Sequence, residues 1–95
     1  MHGTVRYYAG PGGKELFDFL AEQKSEIESL IKGVPGFVSY VLVRSSDGGC
    51  SVTVCDDKAG CDESTRLAGQ FIRDNAGNLT APAPMVSEGE VLIKM

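Results

Sequence analysis

The segment from Val34 to Gly49, Val-Pro-Gly-Phe-Val-Ser-Tyr-Val-Leu-Val-Arg-Ser-Ser-Asp-Gly-Gly, constrains the fold more than any other part of this chain. Before it, Leu16, Phe17, Leu20, Ile27, Leu30 and Ile31 recur at helical spacing from Lys14 to about Lys32, opposite a face of Glu15, Asp18, Glu22, Ser25, Glu26 and Ser29. One-sided apolar periodicity of this kind predicts an amphipathic helix of about five turns. Gly33 is placed to close it in a left-handed conformation, and Pro35 cannot continue it. Phe37 to Arg44 then reads as a strand that is apolar on both faces except at Ser39. Ser46-Asp47-Gly48-Gly49 is a hairpin signal, its Asp-Gly pair favouring a tight turn with positive φ. Cys50 to Val54 pairs back as the next strand.

The flanks complete the pattern. Gly3 to Tyr8 alternates and is rich in β-formers, so it predicts a first strand, ended by Gly10-Pro11-Gly12-Gly13. Asp62 and Glu63 suit the start of a second helix, with Leu67, Ala68, Phe71, Ile72 and Ala76 on one face. A loop from Gly77 to Pro84 follows, and Met85 to Ile93 gives a last strand, weakened or bulged near Ser87-Glu88-Gly89. The order β-α-β-β-α-β is that of an α+β, ferredoxin-like domain: a four-stranded antiparallel sheet with two helices on one face. Ninety-five residues accommodate one such domain, covering 1–95.

The second and third strands are too apolar on both sides to leave one sheet face in water. Pairing two sheets across a two-fold axis would bury that face, so a homodimer is expected. The formal net charge of −4 disfavours nucleic acid or an anionic membrane surface as a partner. No apolar run approaches the length of a membrane span, and no basic region followed by an apolar run opens the chain, so a cytoplasmic location is expected. Three cysteines, an odd count, agree with a reducing compartment.

The chain resembles the dimeric α/β-barrel superfamily, in particular its small antibiotic-biosynthesis-monooxygenase-like domains. The resemblance covers nearly the whole chain in element order and is sharpest at Val34-Pro35-Gly36-Phe37, Tyr40, Leu42 and Arg44. It implies a small, often aromatic or haem-like ligand between helices and sheet, and in several members a cofactor-independent oxygenase activity. Members with oxygen chemistry commonly use a Trp, a His and an Asn near the cleft. This chain has no Trp, its single His is His2, and Val54-Cys55-Asp56 stands where a Trp often ends the third strand.

The residues themselves offer few chemical constellations. His2 is a candidate proton shuttle on its pKa alone, but beside the initiator Met it reads as frayed and solvated. Tyr7 and Tyr8 fall on opposite faces of their strand, so at most one of them reaches a given pocket. Cys50, Cys55 and Cys61 lack metal-site spacing, and a nucleophilic Cys needs a base that the sequence does not place nearby. Cys61 lies close to the expected start of the second helix, where the helix dipole favours a thiolate, but Asp62 and Glu63 oppose that effect. The carboxylates from Asp56 to Glu63 lack the ligand spacing of a calcium loop, and Gly10 to Lys14 is no phosphate-binding loop. No metal or cofactor is therefore expected. The expected ligand-binding residues are Tyr8, Phe17, Tyr40, Arg44 and Phe71, around a small apolar or aromatic molecule. Whether a reaction follows is left open, with a monooxygenase-like enzyme or a purely structural module as the alternatives.

Overall fold

A computed structural model describes residues 1–79 and 81–95. The elements run β1 (His2–Tyr8), α1 (Gly13–Glu22), α2 (Lys24–Lys32), β2 (Phe37–Ser45), β3 (Gly48–Cys55), α3 (Lys58–Asn75) and β4 (Met85–Glu90). The four strands form one antiparallel sheet in the order β2-β3-β1-β4, which is the ferredoxin-like arrangement. Tyr8, Leu16, Phe17, Leu20, Ile27 and Ile31 make the main core between the sheet and the first two helices. Val34, Cys55 and Cys61 make a second, smaller cluster beneath α3. Among the described residues no helix is long and apolar enough to cross a membrane.

The expected five-turn helix is two helices. Gln23 leaves helical geometry at φ −108°, ψ 28°, and its N–H closes back on the Leu20 carbonyl, so the axis changes direction there. The break falls in the gap between Leu20 and Ile27, where Ala21 and Gln23 are only half-buried and no side chain is fully buried, so one straight axis need not keep both apolar triplets on the sheet. Gly33 stays right-handed at φ −77°. The left-handed residue is Gly36, at φ 75°, whose carbonyl then accepts from Asp56 N–H and ties the entry of β2 to the end of β3. The helix therefore ends at Lys32 as expected, and only the left-handed glycine comes three residues later.

The β2–β3 hairpin turns on Ser46 and Asp47, flanked by the Ser45–Gly48 pair, and neither turn residue has positive φ. The last helix starts at Lys58, a turn before Asp62, because Asp57 caps it: its carboxylate accepts from Gly60 N–H at 3.1 Å. Gly60 is needed there, since a Cβ would sit 2.5 Å from the Pro35 carbonyl and 2.9 Å from Cys55 Cβ. Close packing, and not a break in the helix, explains that glycine. In β4 the expected bulge near Ser87-Glu88-Gly89 is absent; pairing with β1 is continuous from Met85 to Glu90, and the register shift lies instead between Phe37 and Ser39. The strand also ends at Glu90, and Leu92 and Ile93 stand in solvent. The loop expected from Gly77 to Pro84, and the Asn78-Leu79-Thr80 sequon within it, include Thr80, which lies outside the described residues.

Candidate functional site: a cleft between helices and sheet

Strand alternation assigns side chains to the two faces of the sheet. In β1, His2, Thr4, Arg6 and Tyr8 turn toward the helices, whereas Val5 and Tyr7 turn away. The register carries this across the sheet: Arg6 lies opposite Ser51, which lies opposite Leu42, while Val5 lies opposite Val52 and then Val41. Tyr7 and Tyr8 therefore do face opposite ways.

On the helix side the floor of the sheet does not meet α1 and α2 everywhere. An open cleft of about 510 Å³ runs between them, walled by Phe17, Leu20, Ile27, Ile31, Phe37, Tyr40 and Leu42. Its rim carries Lys24, Glu28, Lys32 and Arg44. Arg44 is paired with Asp18 at 3.4 Å, whereas Lys24 and Lys32 have no ion-pair partner among the described residues. Such a cavity, mostly apolar with a few polar groups, has the size and character of a small-molecule site. A second cavity of about 30 Å³, called the inner one because the buried Arg6 lines it, neighbours the first; Leu20, Ile27, Tyr40 and Leu42 line both spaces. Arg6, Tyr8, Ser51 and Phe71 complete its wall.

Of the five residues expected at a ligand, Phe17 and Arg44 lie on the outer cleft, Tyr8 and Phe71 on the inner cavity, and Tyr40 on both. The five are thus divided between two neighbouring cavities, with Tyr40 common to both. Tyr8 packs edge-on against Phe17, with ring centroids 5.8 Å apart, and Phe71 stacks at a tilt on Phe19 at 6.3 Å.

Sequence reasoning missed Arg6. It is 1% exposed, at the floor of the inner cavity. Its Nη1 donates to Ser64 Oγ at 3.2 Å and to Thr65 Oγ1 at 3.1 Å, and its Nη2 donates to Thr53 Oγ1 at 3.4 Å. All three acceptors are neutral hydroxyls. The buried Nε, together with the Thr4 and Ser51 hydroxyls, has no hydrogen-bond partner among the described residues. The available signal was parity, since Arg6 shares the face of Tyr8. Scattered among eight other cations along the chain, it looked like a surface charge.

Burial pushes the Tyr8 and Tyr40 phenols above their ordinary pKa, with the positive charge of Arg6 pulling the other way. Both remain protonated at neutral pH and keep an O–H to donate. Burial first, and then the neighbouring Cys61, pushes the Cys55 thiol up to about 11, so it is no nucleophile at neutral pH. Cys61 is itself buried, with its Sγ directed at the His2 carbonyl at 3.2 Å. His2 is not frayed: it is paired within β1, and its imidazole meets Glu88 at 2.9 Å, away from the cleft lining. The titratable groups around the outer cleft are Tyr40, Lys24, Glu28, Lys32 and Arg44, with neither a His nor a thiol among them.

No protein-family model matches the sequence, and no curated protein matches it. Solved structures do. The haem-degrader MhuD from Mycobacterium tuberculosis, with two haems bound in its active site, superposes with a TM-score of 0.69 at 15% identity, over 100% of this chain and 99% of that one. A dimeric ferredoxin-like protein from an uncultured marine organism gives 0.70 at 13% identity, over 99% and 96% of the two chains. A putative antibiotic biosynthesis monooxygenase from Chloroflexus aurantiacus gives 0.60 at 20% identity, over 99% and 95%. At these identities the likeness is one of fold: this chain has the ferredoxin-like fold of antibiotic-biosynthesis-monooxygenase-like proteins along its whole length.

Proposed function

We propose that this protein binds a small apolar or aromatic molecule in the cleft between α1, α2 and the sheet, and that it does so as a homodimer. The observation that carries the reading is the open cleft of about 510 Å³ with an apolar wall, in a domain small enough that unfilled apolar surface is costly. A haem-binding protein and a monooxygenase of the same fold support a ligand in this class of structure.

The dimer rests on the other face of the sheet. Val5, Tyr7, Val41, Val43 and Met85 all stand outward there and are between 37% and 75% exposed. A contiguous apolar sheet face of this kind is seldom left in water, and a two-fold axis lets one surface cover its own copy. The dimeric protein of the same fold agrees with this arrangement.

Binding is preferred over oxygen chemistry by the cleft's own residues. Members with oxygen chemistry commonly use a Trp, a His and an Asn near the cleft, and here His2 is engaged with Glu88 and the chain has no Trp. Native mass spectrometry of the purified, untagged protein tests the proposal. The expected spectrum is a dimer carrying a small-molecule mass that leaves on denaturation. A bare monomer would contradict both parts.

A further inference from the structure

We infer that the molecule held in this cleft is an acid, anchored by the pairing of its carboxylate with Arg6 in the inner cavity while its apolar body fills the outer cleft. This rests on the cleft being a binding site, and it adds the chemical class of the ligand.

Four observations converge. First, Arg6 is a buried cation with no carboxylate at ion-pairing distance among the described residues. A guanidinium out of water costs several kcal/mol unless a counter-charge is supplied, and buried charges are ordinarily paired. Second, its neighbours occupy only part of its donor set. Of five N–H groups, Nη1 spends two on Ser64 and Thr65 and Nη2 spends one on Thr53. The Nε–H and one Nη2–H have no acceptor at hydrogen-bond distance among the described residues, although the Tyr8 and Tyr40 phenols are close enough to feel the guanidinium, and these two donors suit a side-on fork on a carboxylate. Ser64 Oγ is turned to the Cys61 carbonyl at 2.7 Å, which leaves its lone pairs facing Nη1 and holds the guanidinium in place.

Third, the space fits. About 30 Å³ holds one or two waters, or the two oxygens of a carboxylate, and Ser51 Oγ beside it is buried without a partner. Tyr8 and Tyr40, also on this cavity, bring phenol O–H groups that can donate to an anion. Leu20, Ile27, Tyr40 and Leu42 line both spaces, so the two are neighbours, and the proposed ligand would bridge them from a head group at Arg6 to a body between Phe17, Ile31 and Phe37. Fourth, the protein as a whole is acidic, yet the rim of this cleft has three cations, Lys24, Lys32 and Arg44, against one lining acid, Glu28, with Asp18 taking up Arg44. That reversal of local charge favours an anion approaching the opening.

The test compares 2-naphthoate with its neutral isostere 2-naphthamide by isothermal titration calorimetry, on the full-length wild-type protein and on Arg6→Met. In the wild type, naphthoate is expected to bind at least about tenfold more tightly than the amide, as a charge-assisted bidentate pair requires. That preference is expected to persist in high salt, which screens the rim lysines but not a buried contact. In Arg6→Met the preference is expected to vanish while the amide binds as before. Equal affinities in the wild type overturn the inference with no variant needed, and so does a preference that survives in Arg6→Met or disappears in salt. Binding of the amide without preference sinks the acid but leaves the cleft as a site. Failure of both compounds to bind sinks the two together.

Discussion

The two faces of this sheet invert the usual arrangement. The face covered by helices has a polar floor, with Thr4, Arg6, Ser51 and Thr53 all buried, and the face left bare is apolar, with Val5, Tyr7, Val41 and Val43 exposed. A single isolated domain would have both problems at once: polar groups without partners inside and valines in water outside. Each face makes sense once it is given a different occupant. The outer face suits a flat, apolar, self-complementary surface, which the proposed second copy would supply. The inner face suits the proposed ligand, with an apolar body and an anionic oxygen pair that no carboxylate among the described residues brings to Arg6. On this proposal, assembly and ligand recognition fall on opposite sides of one four-stranded sheet, and the strand period of two keeps them apart.

Substitutions that act on one face and spare the other would break or sharpen this division. The largest effect is expected on the outer face. Val41→Asp with Val43→Asp would bury uncompensated charge in a two-fold contact, at a cost of about 3–5 kcal/mol. The dimer should then be lost by light scattering at micromolar concentration, with the circular dichroism of the fold retained because both positions are exposed in one subunit. A dimer that survives the double substitution would place the interface elsewhere.

Next comes the apolar part of the inner side. Phe17 is 2% exposed and packs against Tyr8 while walling the cleft. Phe17→Ala should destabilise by about 3 kcal/mol in urea unfolding, as large-to-small changes of buried aromatics do. A loss well under 1 kcal/mol would mean that this region is loosely packed.

Arg6→Met is expected to change stability by no more than about 1 kcal/mol, because relief of a buried, unpaired charge offsets the removal of its hydrogen bonds to Thr53, Ser64 and Thr65. A strongly destabilised Arg6→Met protein would show that the guanidinium is there to hold α3 on the sheet.

The smallest effects are those of pH. The Cys55 thiol has its pKa raised from 9.0 to about 11 by burial first and Cys61 second, and Tyr8 and Tyr40 are raised chiefly by burial. Each folded group holds its proton to a higher pH than its unfolded counterpart. Stability is therefore complete below pH 9 and should fall as pH rises from about 9 through 11, with no matching loss on the acid side from these groups. Thermal melts across that range check the sign. Alkylation of the native protein at pH 8 should leave Cys55 and Cys61 unmodified, both being buried.

Much of this architecture was legible in the residues. Period-two alternation placed Tyr7 and Tyr8 on opposite faces, helical periodicity placed Leu16, Phe17 and Leu20 inward, and Pro35-Gly36 marked the passage into β2. What stayed hidden has physical reasons. Gln23 is no helix breaker; the bend there is set by how α1 and α2 pack on the sheet, which no local propensity encodes. Gly60 precedes the helix start expected at Asp62, yet it lies inside α3, and it is a glycine because Pro35 and Cys55 leave no room for a Cβ there. The five expected ligand residues are divided between two neighbouring cavities, the aromatic ones on inward positions of strands and helices and Arg44 at the rim. Arg6 escaped notice because a pattern of polar and apolar positions treats a charge as outward-facing, and its burial depends on hydroxyls from β3 and α3 that only the tertiary structure brings together.

The division of labour between the two faces can be tested in one methyl-labelled NMR titration of the intact protein with 2-naphthoate. The expected result is that the methyl signals of Leu20, Ile27 and Leu42 shift, while those of Val5, Val41 and Val43 stay still on ligand addition and move only on dilution. Ligand-induced shifts confined to the valines, with the cleft methyls unmoved, would contradict it.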